Sequence, residues 1–247
     1  MVFDHHSSEV TRNDGETTNY VIDAHAPSAA RVVFNHFGGY KVFPEKWSGM
    51  MAAVDKADAA QFTRDEILRP EGWVLLNYLM DSRTGLGRFR DFRISNYQLM
   101  MDLIEYCGDH DLSEIMQIPD VQERATMYFD HHDQFVNQIR RCATLHGNLV
   151  VLDLRKEETI YAGNRFMIYA LFPDTNISIH VLWGLRQENT VFATGKSILN
   201  RTSKTNVGSL MLQYGGGGHD AAGTCQIAND QAEAVLKELV KRINLDG

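Results

Sequence analysis

The stretch Tyr214-Gly215-Gly216-Gly217-Gly218-His219-Asp220-Ala221-Ala222-Gly223 constrains this chain more than any other. Its glycines and alanines remove every bulky side chain from one turn. Glycine has no Cβ, so backbone N–H groups can approach an anion closely, and His219 is left to donate beside them. A flexible linker would carry serines in place of the histidine and the Ala-Ala-Gly tail. The other end of the chain opens Met1-Val2-Phe3-Asp4-His5-His6, an apolar strand end running straight into Asp-His-His.

The 247 residues suit one large domain or two ordinary ones, and 44% hydrophobic content is enough for a buried core. No apolar run is long enough to span a membrane, and Met1 is followed by no signal-peptide pattern. Cys107, Cys142 and Cys225 are odd in number and lack metal-ligand spacing, which places the chain in a reducing cytoplasm. A net charge of -8 argues against long nucleic acid as the main partner. Grip on a polymer needs many Lys/Arg–phosphate contacts, whereas a small phosphorylated substrate needs only a local positive pocket.

Periodicity divides the chain. A turn is expected at Asn13-Asp14-Gly15, a helix from Pro27 to Gly38-Gly39, and another from about Trp47 to Ala57. Capping boxes stand at Thr63-Arg64-Asp65-Glu66 and Asp111-Leu112-Ser113-Glu114, with helices around 71–80 and 94–107 between them. Apolar or semi-apolar positions from Val121 to Cys142 fall alternately four and three apart, which predicts one long amphipathic helix. Then follow a strand over 148–154, a helix over 164–172, an antiparallel hairpin of 177–183 and 190–194, and a short helix near 206–213. A strand over 224–227 and a last helix close the chain. The expectation is an α/β fold: a partial parallel-sheet domain over 1–118, a connector helix over 119–146, and a smaller α+β domain over 147–247.

The two terminal motifs, in this order, resemble the DHH phosphoesterase family. Its members carry Asp-His-His in an N-terminal domain and a Gly-Gly-Gly-His-type motif in a smaller C-terminal one. The resemblance implies a manganese-dependent phosphohydrolase with a two-metal site. Its substrate would be a short oligonucleotide, a nucleoside bisphosphate, a cyclic dinucleotide or polyphosphate. Two divalent ions suit such chemistry because they activate water and neutralise developing charge. By the family pattern His5 ligates metal, Asp4 ligates or supports, and His6 faces the substrate phosphate. Asp58, in Asp58-Ala59-Ala60-Gln61-Phe62, resembles the family's later metal-binding aspartate, with Asp55 in reserve. Arg201 and His219 are implied as catalytic phosphate contacts, and Gly216, Gly217 and Gly218 as their backbone cradle. Arg83 and Arg88, in an arginine-rich turn, could hold an anion in bidentate fashion or pair with carboxylates. A homodimer is a further possible partner state.

A second Asp-His-His, at Asp130-His131-His132, is rejected as a metal motif. Successive helical residues point about 100° apart, so three in a row cannot converge on one ion. The family's early metal-binding aspartates and first strands have no counterpart before Asp4. The expectation is therefore a chain lacking the N-terminal part of the DHH domain. The alternative reading is a truncated, non-catalytic phosphate- or nucleotide-binding module.

Overall fold

The computed structural model describes residues 1–6, 9 and 19–247, so the turn expected at Asn13-Asp14-Gly15 lies outside the described residues. The chain divides into two compact units. The first comprises Met1–Asp81 and Arg90–Ala125, the second Ser82–Phe89 and Thr126–Gly247.

In the first unit β1 (Val2–Asp4) pairs in parallel with β2 (Tyr20–Ile22), with Asp4 opposite Ile22. Helix α1 (Ala29–His36) starts at the fully buried Ser28, whose hydroxyl accepts the Arg31 N–H at 3.0 Å. Gly38, at φ 103°, follows the end of that helix, in a conformation glycine adopts without strain. Helix α2 (Ser48–Asp58) comes next, then α3 (Arg64–Leu68). The capping box predicted for α3 is present: Glu66 N–H donates to the Thr63 hydroxyl and Thr63 N–H to the Glu66 carboxylate.

Helices α4 (Gly72–Met80) and α5 (Asn96–Asp109) fall where periodicity places them, and α6 (Leu112–Ile115) follows its own cap at Asp111. Their apolar faces bury Leu75, Leu76, Leu79, Leu99, Leu103 and Ile115, and Ile67 of α3 and Val121 are buried as well. Each such side chain contributes roughly 1.5–3 kcal/mol of burial. Arg124 is fully buried in this unit. It donates to the Ile94 carbonyl and the Glu123 carboxylate and stacks 3.9 Å over the Phe92 ring.

The single helix expected over 121–142 is two: α7 (Pro119–Asp130) and α8 (His132–Cys142). The break is at His131, although hydrogen bonds from His131 to Met127 and from Phe135 to His131 carry through it. The cause is tertiary. The His131 ring accepts the Ala162 N–H at 3.2 Å and lies edge-on to Phe89 and Tyr161. The same contacts explain why Ser82–Phe89, inside the stretch assigned to the first domain, belongs to the second unit. There Gly163 N–H also donates to the Thr84 carbonyl.

The second unit is built on a six-stranded sheet in the order β3-β4-β5-β6-β8-β7. Strands β3 (Ala143–His146) and β4 (Leu149–Asp153) form a hairpin, and β3 falls where the connector was expected. Helix α9 (Met167–Leu171) is shorter than expected; ahead of its first residue the Asn164 side chain accepts the Phe166 N–H. Strand β5 (Ile177–Trp183) runs parallel to β4 and antiparallel to β6 (Thr190–Lys196). Helix α10 (Val207–Leu212) leads into β7 (Gly217–His219), which pairs with β8 (Ala222–Ile227) before α11 (Ala232–Asp246). Part of the predicted glycine turn is thus a short edge strand. Leu149, Val151, Ile177, Ile179, Val181 and Phe192 on one sheet face pack against Val207, Leu210, Met211, Leu239 and Ile243. Among the described residues no helix is long and apolar enough to cross a membrane.

Candidate active site

Ligand-binding groups in parallel sheets gather at the carboxyl ends of strands. In the first unit β1 ends at Asp4 and β2 is followed by Asp23, whose N–H donates to the Asp4 carbonyl. One Asp4 carboxylate oxygen accepts the N–H groups of His5 and His6 at 2.6 and 2.8 Å and lies 2.6 Å from His6 Nδ1. The His6 N–H, chiefly, holds the Asp4 carboxyl below the usual carboxylate range. Asp4 therefore orients the two histidines that follow it.

The His5 ring is fixed at both nitrogens. Nδ1 lies 3.2 Å from the Ala26 carbonyl and Nε2 lies 3.2 Å from an Asp58 carboxylate oxygen. A carbonyl can only accept, so Nδ1 carries the proton and a neutral ring turns its Nε2 lone pair toward the carboxylate. Two lone pairs face each other stably only with a proton or a cation between them. Asp58 is also the last residue of α2, at the negative end of the helix dipole, which adds to the attraction for a cation. The donor types, imidazole nitrogen and carboxylate oxygen, and the carbonyl behind Nδ1 are those of a divalent metal site.

His5 and Asp58 are thus brought together. Asp4 is turned to His6 and the backbone, and among the described residues no group of three His, Cys, Asp or Glu side chains converges to hold a metal ion. Asp55, the reserve ligand, is occupied elsewhere: it accepts the Ser28 hydroxyl at 2.7 Å and pairs with the Arg31 guanidinium. That network fixes α2 against the start of α1, and so fixes Asp58 near His5. Sequence reasoning missed Ser28, Arg31 and Asp23. The signal for Asp23 was available, since Tyr20-Val21-Ile22-Asp23 repeats the apolar-run-then-Asp pattern of Val2-Phe3-Asp4.

The remaining candidates lie in the second unit. Arg83 is exposed in a single turn over Ser82–Thr84. The Arg88 guanidinium folds back over Gly85 and donates to the Tyr161 carbonyl at 3.2 Å. Arg201 follows β6 in an exposed turn, with Nε donating to the Ile198 carbonyl.

The glycines before His219 serve the backbone first. Gly215 and Gly216 N–H groups close α10 by donating to Leu212 and Met211. A Cβ on Gly216 would lie 2.0 Å from the Thr224 carbonyl oxygen, and one on Gly218 would lie 2.2 Å from that of Ala222. A Cβ on Gly217 would meet nothing within 4 Å. His219 is exposed at the end of β7. The turn after it is held by the Asp220 carboxylate to Lys196 Nζ at 2.8 Å and by the Ala221 carbonyl to Lys196 N–H. Asp130, His131 and His132 of the second Asp-His-His lie at the break between α7 and α8, where the His131 ring accepts the Ala162 N–H.

No protein-family model matches the chain, and no curated protein does. Among solved structures, the pGpG-specific phosphodiesterase PggH from Vibrio cholerae is 58% identical over all of this chain and 80% of its own, with a TM-score of 0.84. The DHH domain of a member of the s1p family of ribosomal proteins shares the fold alone. It is 12% identical over 87% of this chain and 54% of that one, with a TM-score of 0.55. Likeness at the first level runs through both the strand end bearing Asp4-His5-His6 and the glycine strand bearing His219, so the chain belongs to the DHH phosphoesterase family and is a phosphohydrolase.

Proposed function

We propose that the chain hydrolyses the linear dinucleotide pGpG with manganese bound at His5 and Asp58. The single observation that carries the substrate is the 58% identity, over the whole chain, to a phosphodiesterase specific for pGpG. The metal assignment is supported by the His5 Nε2–Asp58 contact of 3.2 Å, with the ring's other nitrogen on the Ala26 carbonyl. A bound divalent ion would supply Lewis-acid stabilisation of phosphoryl charge and an activated water.

The chain's own residues do the rest. Ala26 and Asp55, the latter through Ser28 and Arg31, hold His5 and Asp58 in place. Asp4 accepts at His6 Nδ1, so His6 Nε2 is the nitrogen that takes up a proton and, in the imidazolium form, donates to a phosphate oxygen. Asp4 is the remaining candidate ligand or support. In the second unit Arg201 and His219 are the proposed phosphate contacts, with Gly216, Gly217 and Gly218 beside them and Arg83 and Arg88 as outlying cations. A reducing cytoplasm is supported by Cys107, Cys142 and Cys225, all unpaired thiols. A homodimer is supported by Tyr97, Met101 and Ile104, which leave an apolar stripe exposed on α5.

Purified chain with manganese should convert pGpG to GMP, followed by chromatography. His5→Ala should lower kcat at least about 10³-fold, the loss of a metal ligand at the reacting centre. That among the described residues no three metal-donor side chains converge favours one rival, a nucleotide-binding module. Tight pGpG binding with no turnover under any divalent ion, lost in His219→Ala, would establish that rival instead.

A further inference from the structure

The six-stranded sheet has a second face, opposite the one packed on α10 and α11. Strand register sets its rows. His180, Ala193, Thr224 and Gly217 lie opposite one another in sequence across β5, β6, β8 and β7, and Ser178, Gly195, Ala222 and His219 form the adjacent row. His180 and His219 therefore share one face, separated by three strand spacings and one row along the strands, about 16 Å. Tyr169 covers the Ser178 end, with its hydroxyl 2.9 Å from Ser178 Oγ and 2.8 Å from the Gly195 carbonyl. From His180 toward β7 the floor is Ala193, Thr224, Ala222 and Gly217. Thr224 and Ala222 are exposed, and the space over Gly217 is open.

His180 stands apart on this face. Its ring has no hydrogen-bond partner among the described residues, yet the side chain is only half-buried. Protein crowds it enough that dehydration pushes its pKa down to about 4, so at neutral pH it is an uncharged imidazole with one N–H and one bare nitrogen. A phosphate would find no charge there, whereas the edge of a base offers both a donor and an acceptor.

We infer that His180 is a specificity residue that hydrogen-bonds the guanine base at the far end of a dinucleotide whose other end is held at His219. The separation of the two histidines matches an extended 5′-phosphorylated dinucleotide, and the small residues between them leave room for it to lie along the sheet. The inference rests on the reading that pGpG is the substrate.

The test uses the full chain with manganese and the variants His180→Leu and His180→Gln. Their kinetics are measured on pGpG, on pApA, and on bis-p-nitrophenyl phosphate, which has no base. His180→Leu should raise KM for pGpG about tenfold, the loss of one neutral hydrogen bond, with kcat within about twofold. Its preference for pGpG over pApA should shrink, its rate on the baseless diester should stay unchanged, and His180→Gln should recover part of the affinity. An unchanged KM for pGpG, or an equal fall on pGpG and the baseless diester, overturns the role of His180. Wild-type chain that cleaves the baseless diester and not pGpG overturns the substrate reading itself, and the assignment of His180 with it.

Discussion

Asp55 shows how a side chain can serve the candidate metal site without touching it. Its carboxylate is mostly buried, accepts the Ser28 hydroxyl and pairs with Arg31, and so ties the middle of α2 to the cap of α1. One turn further along the same helix is Asp58, beside His5. Asp55→Asn keeps the shape but weakens the ion pair. Manganese affinity, read by titration calorimetry, should fall by about 10–100-fold, the usual effect of loosening the groups behind a metal ligand. Sequence placed Asp58 ahead of Asp55 only through the family resemblance of Asp58-Ala59-Ala60-Gln61-Phe62. Both stand near the end of one helix, three residues apart, and what distinguishes them is Arg31, more than twenty residues away. His5 was legible because an Asp-His-His at a strand end has few uses, and the carbonyl behind it, Ala26, was not.

At the scale of the element, β7 reinterprets the glycine run. The absence of side chains was plain in the sequence; that carbonyls of β8 stand where a Cβ on Gly216 or Gly218 would go was not. Such pairing is non-local, and no short pattern reports it. Gly218→Ala should lower stability by about 2 kcal/mol or more, since φ is 153° there and the added carbon would sit 2.2 Å from a carbonyl oxygen. Gly217→Ala, facing open space, should stay within about 0.5 kcal/mol. Urea unfolding of both variants checks the contrast.

A second element-scale device joins the end of β4 to α11: Arg155 bridges Asp153 and Glu233 at 2.7 and 2.6 Å. Burial alone would raise the Asp153 pKa, but the Arg155 hydrogen bonds outweigh it and the net shift is downward from 3.8. A depressed carboxyl pKa stabilises the fold above the unfolded value and loses that contribution as pH falls through the folded one. Asp153→Asn should therefore cost roughly 1 kcal/mol at neutral pH, reduced from a buried pair's worth by partial exposure. It should also flatten the loss of stability on acidification below the ordinary carboxylate range. Denaturant midpoints across that range report both.

Over the whole molecule, the change of period near residue 147 was the sequence's signal for a second domain, expected to be the smaller one; in the structure the second unit takes in Ser82–Phe89 and Thr126–Gly247 and is the larger of the two. His131 interrupts a helix whose hydrophobic pattern is continuous, because Ala162, Phe89 and Tyr161 act on it from distant positions. The net charge of -8 also acts at this scale. Long single strands should bind weakly even at low salt, because the chain has few Lys/Arg–phosphate contacts to offer, while pGpG turnover, resting on few phosphate contacts, should change little with salt. Competition by a long oligonucleotide at two salt concentrations measures the difference.

The six-stranded sheet ends on one side in β3, four residues long, and on the other in β7, three residues long and mostly glycine. Abbreviated borders of this kind give a foreign strand little to latch onto, so the second unit is guarded against fibril seeding even when the protein is crowded.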